Sequence, residues 1–246
     1  MGLKAAPEDQ ALLLELQEFD TRLQQLEHRI RTLPETAAVA ALAGEGDTLR
    51  RALAEQTGVW EDARSELGRV ESDVAVVEAR IERDRDRLQN SSSVKDVQAL
   101  EQELAALARR RDELEEIELV VMERVEGHEE ALAATREALA ALDGRTEQTV
   151  AARDAALADL DQDRAHIVAA RQTVASRVPS DLLALYEKQR ARYGVGASHL
   201  RGGVSSASGV ALNATDLNTI RAAAPDDVLL CPDSSAVLVR TAESGL

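Results

Sequence analysis

"RDRLQNSSSVKDVQALEQEL", residues 85–104, decides the fold. Asn90 and three serines sit between two stretches that are otherwise suited to helices. Such side chains compete with helical hydrogen bonds through their own bonds to nearby backbone, so four in a row stop a helix. Moving back from the break, residues recur at alternating steps of three and four. They are Leu88, Asp84, Ile81, Val77, Val74, Val70, Leu67, Ala63, Trp60, Gln56, Leu53 and Leu49. All but Asp84 and Gln56 are apolar. Beyond Gly46, Gly44 and Pro34 the step resumes at Leu33, Ile30, Leu26, Leu23, Phe19, Leu16 and Leu12. Moving forward, a matching run passes through Val97, Leu100, Leu104, Leu107, Arg111, Leu114, Glu118, Val121 and Val125. It continues through Leu132, Leu139, Leu142, Ala156, Leu160, Ile167 and Val174 to a stop at Pro179. Apolar seams sustained at this spacing predict coiled coil.

The two arms, 8–88 and 95–177, match in length around a turn at 89–94. At the helical rise each would reach roughly 120 Å if continuous. A short polar break between equal arms predicts an antiparallel αα-hairpin. With the turn centred near Ser92, facing core residues have numbers summing to about 185. Leu88 then meets Val97, Ile81 meets Leu104, Val70 meets Leu114, Trp60 meets Val125 and Leu53 meets Leu132. The seam is weakest at Thr146, Thr149 and Arg153, opposite the Pro34–Gly46 interruption, which supports the same pairing. Asp84 and Arg111 fall on the seam and read as register devices.

Composition agrees. The chain has 246 residues, 44 % hydrophobic and 30 % charged, with four aromatics and a net charge of −16. So few aromatics argue for long helices rather than one large core. The negative balance repels phosphate backbones overall and disfavours generic nucleic-acid binding. One cysteine excludes an intramolecular disulfide. The start lacks an unbroken apolar run of signal-peptide length, position 6 is Ala rather than Ser or Thr, and no stretch is apolar enough to span a bilayer. A cytoplasmic location without a membrane partner is expected.

After Pro179 the pattern changes. "SDLLALYEKQRARYG" predicts a short helix with Ser180 or Asp181 as N-cap. From Gly194 onward Gly, Ser and Asn separate short β-like runs, and one helical turn is expected within 209–225. The organisation is therefore a coiled-coil hairpin over 1–178, a linker helix over 179–194 and a small β module over 195–246. About fifty residues make a marginal core alone, and Val210, Leu212, Ile220, Val228, Leu230, Val237 and Val239 are its expected apolar residues.

Within that module, "LLCPDSSAVLV" at 229–239 reads as strand, knuckle, strand and contains the lone Cys231. Cys231 and Ser234 repeat the spacing of Ser205 and Ser208. With cysteine at all four positions the pattern would be a four-thiolate zinc site. As written it offers one thiol and three hydroxyls, and hydroxyls are poor zinc ligands. A half-buried structural cysteine is the simpler reading.

Nearly the whole chain resembles the bacterial C4-type zinc-ribbon proteins that carry an N-terminal coiled-coil hairpin. The resemblance rests on "SSSVKDVQALEQEL" at the turn, with Lys95, Leu100 and Glu103, on "LLALYEKQR" at the link, and on the final knuckle and tail "LCPDSSAVLVRTAESGL". It implies a ribbon-like C-terminal fold, and it places the family's zinc ligands on Ser205, Ser208, Cys231 and Ser234. Ser235 stands where the family has Gly. With three of four ligands lost, natural erosion of the site is the expected reading, with no cofactor retained. The resemblance also implies a non-enzymatic adaptor role.

Two surfaces are candidate docking sites. Lys95, Asp96, Gln98 and Glu101 lie at the hairpin tip, in a mixed-charge stretch that otherwise reads as solvated helix face. Near the module Arg190, Arg192 and Arg201, with Lys188 and Arg221, form the locally basic stretch. Tyr186 and Tyr193 could stack on bases there, although Tyr186 reads better as packing at the hairpin base. The four histidines are scattered, and no nucleophile elbow, phosphate loop or carboxylate pair is defensible. The expected fold is mainly α, a long antiparallel coiled-coil hairpin plus a small zinc-ribbon-like β module. The expected function is a cytoplasmic adaptor for protein partners, with nucleic-acid binding through the basic module as the alternative. Homodimerisation is left open.

Overall fold

The computed structural model describes residues 2–245. Three helices account for most of the chain: α1 Pro7–Arg31, α2 Pro34–Asn90 and α3 Val94–Ala175. Only Ser91–Ser93 separate α2 from α3. Ser93 Oγ accepts from Asp96 N at 3.4 Å, and Val97 N donates to Ser93 O at 3.0 Å. The helix-stopping serine is thus also the start of the next helix. No helix among the described residues is long and apolar enough to cross a membrane.

The chain divides into two compact units, Glu35–Ala151 and the remainder. In the first, α2 and the first part of α3 pair antiparallel as a long helical hairpin. Every seam residue from Leu49 to Leu88 and from Val97 to Val125 is buried or half-buried. Trp60, Ala63 and Leu67 pack with Val121 and Val125, which is the register expected from the spacing. Polar links flank this core: Trp60 Nε1 donates to Glu129 at 3.1 Å, Thr135 Oγ1 to Gln56 at 2.8 Å, and Arg124 pairs with Glu66 at 2.6 Å. Arg80 pairs with Glu103 nearer the turn.

Gly44 and Gly46 do not loosen α2, which runs unbroken through both. Gly46 is instead buried beneath Leu142: a Cβ there would lie 3.4 Å from Leu142 Cδ2. Asp84 and Arg111 are both turned into the seam but pair along their own helices, Asp84 with Arg87 at 3.3 Å and Arg111 with Glu115 at 3.1 Å.

The second unit combines α1, the end of α3, α4 Ser180–Tyr193 and a four-stranded sheet with α5 Ala214–Ala222. The strands are β1 Ala197–Arg201, β2 Val204–Ser205, β3 Leu229–Leu230 and β4 Val237–Val239. Their order is β2-β1-β4-β3, with β1 and β4 parallel and both outer pairs antiparallel. Alternation in β4 sends its residues to both faces, so all three are fully buried, as befits a central strand. Val237 and Val239 join Ala197, Leu13, Leu16, Val174, Leu182 and Tyr186 in one core. Leu238 joins Leu200, Leu212, Ile220 and Cys231 in the other. A segment too small for an independent core therefore shares one with the helices.

Local expectations need three corrections. The N-cap position of α4 is Pro179, with no side-chain cap bond, so neither Ser180 nor Asp181 serves there. The single turn expected within 209–225 is a nine-residue helix, because Asn213 Oδ1 caps it by accepting from Asp216 N at 2.9 Å. Val210 and Leu230 are exposed rather than core. Val210 follows the left-handed Gly209 at a turn, and Leu230 alternates outward from Leu229.

Candidate functional site

The four knuckle positions lie on two turns of the same build. Ser205 N donates to Val210 O at 3.2 Å, and Gly209 N returns to Ser205 O at 2.8 Å. Cys231 N donates to Ala236 O at 2.8 Å, and Ser235 N returns to Cys231 O at 2.9 Å. The fifth residue of each turn is left-handed: Gly209 at φ 67° and Ser235 at φ 58°. The fourth side chain accepts from the amide two residues on, Ser208 Oγ from Val210 N at 3.3 Å and Ser234 Oγ from Ala236 N at 3.4 Å. One turn motif is built twice. In its second copy Ser235 holds a backbone conformation that costs a non-glycine residue about 1–2 kcal/mol.

Between the turns Cys231, 1 % exposed, places Sγ 3.4 Å from Ser205 Oγ. Ser205 Oγ in turn lies 2.6 Å from Ser198 Oγ on β1, and Ser198 and Ser205 are both fully buried. Ser198 Oγ also accepts from Ala207 N at 3.1 Å. Burial pushes the Cys231 thiol up. Hydrogen bonds from Ser205 and Ser234, and from the Ser234 and Asp233 backbone, outweigh it and hold the thiol below its ordinary value. Tetrahedral structural zinc takes thiolates and imidazoles. One thiol with three hydroxyls does not fit it, and among the described residues no group of three His, Cys, Asp or Glu converges.

Two cations of the basic stretch near the module, Arg190 and Arg201, are engaged by ion pairs, while Lys188, Arg192 and Arg221 are exposed without one among the described residues. Arg190 Nη1 donates to Asp20 at 3.0 Å and its Nε to Glu187 at 3.0 Å. Arg201 pairs with Glu243 at 2.6 Å. Arg192 is exposed and lies 5.3 Å from the Tyr193 ring. Tyr186 is fully buried, so it packs the base of the hairpin and cannot stack on a partner.

Asp20 is the centre that sequence reasoning missed. It is 1 % exposed and accepts two bonds from Arg171, at 2.7 and 3.0 Å, one from Arg190 and one from Tyr186 Oη at 2.6 Å. Arg171 also reaches Glu187 at 2.6 Å. The available signal was its helical spacing from Leu13 and Leu16, which puts an acid on an apolar face. Every acceptor in this cluster is met inside the unit, so it reads as a joint rather than a binding site.

At the hairpin turn Lys95, Asp96, Gln98 and Glu101 are all exposed, and beside them Val94 is 75 % exposed. Lys95, Asp96 and Glu101 form no ion pair among the described residues. The four side chains lie on the first two turns of α3, immediately after Ser93.

These features define a class: a helical hairpin carrying a small sheet, with unspent polar groups at its turn. Residues 16–194 match the CT398-like coiled coil hairpin domain, and the chain belongs to that family. It is 34 % identical over 239 residues to the uncharacterized protein Rv2229c of Mycobacterium tuberculosis H37Rv, covering 97 % of this chain and 98 % of that one. A solved structure from Mycobacterium smegmatis is 34 % identical and superposes with a TM-score of 0.88, covering 97 % of this chain and all of that one. CT398 of Chlamydia trachomatis, 17 % identical, has the same fold with a TM-score of 0.66, over 94 % of this chain and 97 % of that one.

Proposed function

We propose that the protein is a non-enzymatic cytoplasmic adaptor that docks a protein partner on the hairpin turn. One observation carries this reading: the sequence-selected Lys95, Asp96, Gln98 and Glu101 stand exposed together at the turn, and Lys95, Asp96 and Glu101 have no ion pair among the described residues. Arg190 and Arg201, chosen on the same grounds, are spent on internal ion pairs. The net charge of −16, and a basic stretch that those pairs reduce to Lys188, Arg192 and Arg221, also favour a protein partner over nucleic acid. Side chains already set on a formed helix lower the ordering cost of an interface. The C-terminal module is read as ribbon-like, supported by its duplicated turns, and as an anchor for the base of the hairpin.

The test is capture with the full-length chain, comparing wild type with Lys95→Ala/Asp96→Ala/Gln98→Ala/Glu101→Ala. A partner held by the wild type and lost by the variant, with unchanged helicity, is expected. A partner held equally by both would reject the turn as the docking site. A salt-titrated assay with duplex and single-stranded probes decides the nucleic-acid reading, for which a flat response at low salt is expected.

A further inference from the structure

We propose that the Ser198–Ser205–Cys231 hydrogen-bonded cluster takes the place of a metal as the tie between the two turns, so that the C-terminal module folds without one. The disagreement between frame and donors motivates this. Backbone geometry is duplicated across the turns, down to the left-handed fifth residue, although Ser235 must adopt it without being glycine. With cysteine at all four positions the spacing would be that of a four-thiolate zinc site. Here three of the four positions carry hydroxyls, and two of these, Ser208 and Ser234, are bonded to their own turns.

What joins the turns is the buried chain from Cys231 Sγ to Ser205 Oγ to Ser198 Oγ. Ser198 is the residue that makes the substitution workable. It comes from β1, outside either turn, and its hydroxyl accepts the Ala207 amide at 3.1 Å. It thereby satisfies the first turn and anchors that turn to the sheet. Three further ties support the module. Arg240 fans its guanidinium over the carbonyls of Ile220, Ala223, Ala224, Pro225 and Asp227 at 2.6–3.3 Å. The N-terminal segment adds to the module edge through Ala5 N to Asp226 O at 2.9 Å and Val228 N to Leu3 O at 3.1 Å. Val237 and Val239 bury themselves in the core shared with α1 and α3. Metal binding normally supplies folding free energy to such modules, and these contacts supply it instead.

Elemental analysis of the purified full-length chain, with thermal melts and amide hydrogen exchange in the presence and absence of chelator, tests the proposal. Substoichiometric zinc is expected, together with a melting temperature and exchange over 205–210 and 231–236 that the chelator leaves unchanged. Stoichiometric zinc, whose removal speeds exchange in those turns, would overturn it. Ser205→Cys/Ser208→Cys/Ser234→Cys is the converse test. Because the frame is intact, this variant is expected to bind one zinc per chain and to melt higher with zinc than with chelator. A folded variant that binds none would refute the preserved frame. Ser205→Ala supplies a reading even if that variant fails to fold. Faster exchange in both turns, insensitive to added zinc, supports the cluster as the tie; unchanged exchange contradicts it.

Discussion

Tyr186 Oη donates to Asp20 Oδ2 across 2.6 Å, joining α4 to α1 in a contact from which water is excluded. Burial first, then the bond to Asp20, pushes the phenol pKa well above its ordinary 10.0. The folded state therefore prefers the neutral phenol. Its contribution is fully present below about pH 10 and is lost as pH rises beyond that. Tyr186→Phe removes a hydrogen bond to a charged group and should cost about 1.5–3 kcal/mol at pH 7. The gap between wild type and variant should narrow above pH 10, because only the wild type has a phenol to ionise. Parallel stability profiles through pH 11, read by urea unfolding, would contradict this account.

Removing the acid that Tyr186 contacts should cost more. Asp20→Ala leaves Arg171 with Glu187 as its sole anionic partner and strips Tyr186 of its acceptor. Breaking a buried ion cluster from the inside typically costs about 3–5 kcal/mol. Arg190→Ala should cost less, since Arg171 still holds both Asp20 oxygens. Urea unfolding followed by circular dichroism would rank the two variants, and equal losses would argue against Asp20 as the centre.

Two glycines should respond in opposite directions. A Cβ at Gly196 would lie 2.4 Å from Tyr186 Cε2, against a ring that has no room to move. Gly196→Ala should destabilise by about 1–3 kcal/mol through overpacking. Gly44 is helical, and a methyl added there would meet nothing within 4 Å. Gly44→Ala should therefore stabilise by up to about 1 kcal/mol through helix propensity. Melting temperatures of the two variants, moving apart from the wild type, are the check.

Arg240 gathers carbonyls from the end of α5 and the loop beyond it. Arg240→Ala should loosen 220–227 by about 1.5–3 kcal/mol, since these bonds involve a charged donor. Arg240→Lys should not rescue the loss, because an ammonium cannot span a fan of acceptors that a planar guanidinium can. Local amide exchange over 220–227 measures both, and full rescue by Lys would show that charge alone suffices.

Most of the architecture was legible because the hairpin repeats one rule many times. The three-and-four spacing located each seam residue, and the Ser91–Ser93 interruption located the turn. Trp60 with Val125 shows that register was legible too. The failures fall where a single contact outweighs local pattern. Gly44 and Gly46 looked like breaks, yet α2 runs unbroken through both, and Gly46 lies against Leu142. The length of α5 depended on the Asn213 cap. Among the site residues, the frame of the paired turns was visible from spacing alone. Ser198 was not, because its hydroxyl meets Ser205 and Ala207 only once β1 folds back on β2, and nothing in the spacing marks it. Asp20 and Arg171 were missed, and Arg190 was read as docking surface, because both arginines lie far along the chain from Asp20 and nothing local announces the pairing.

Site-specific photo-crosslinking tests the adaptor reading most directly. A photoreactive side chain placed at Gln98, on the turn, should capture a discrete protein partner in cells. The same group at exposed Arg221, in the C-terminal module, should not capture that partner, and Lys95→Ala/Glu101→Ala should abolish the Gln98 product. Identical products from both positions, or a Gln98 product indifferent to that double substitution, would contradict docking at the turn.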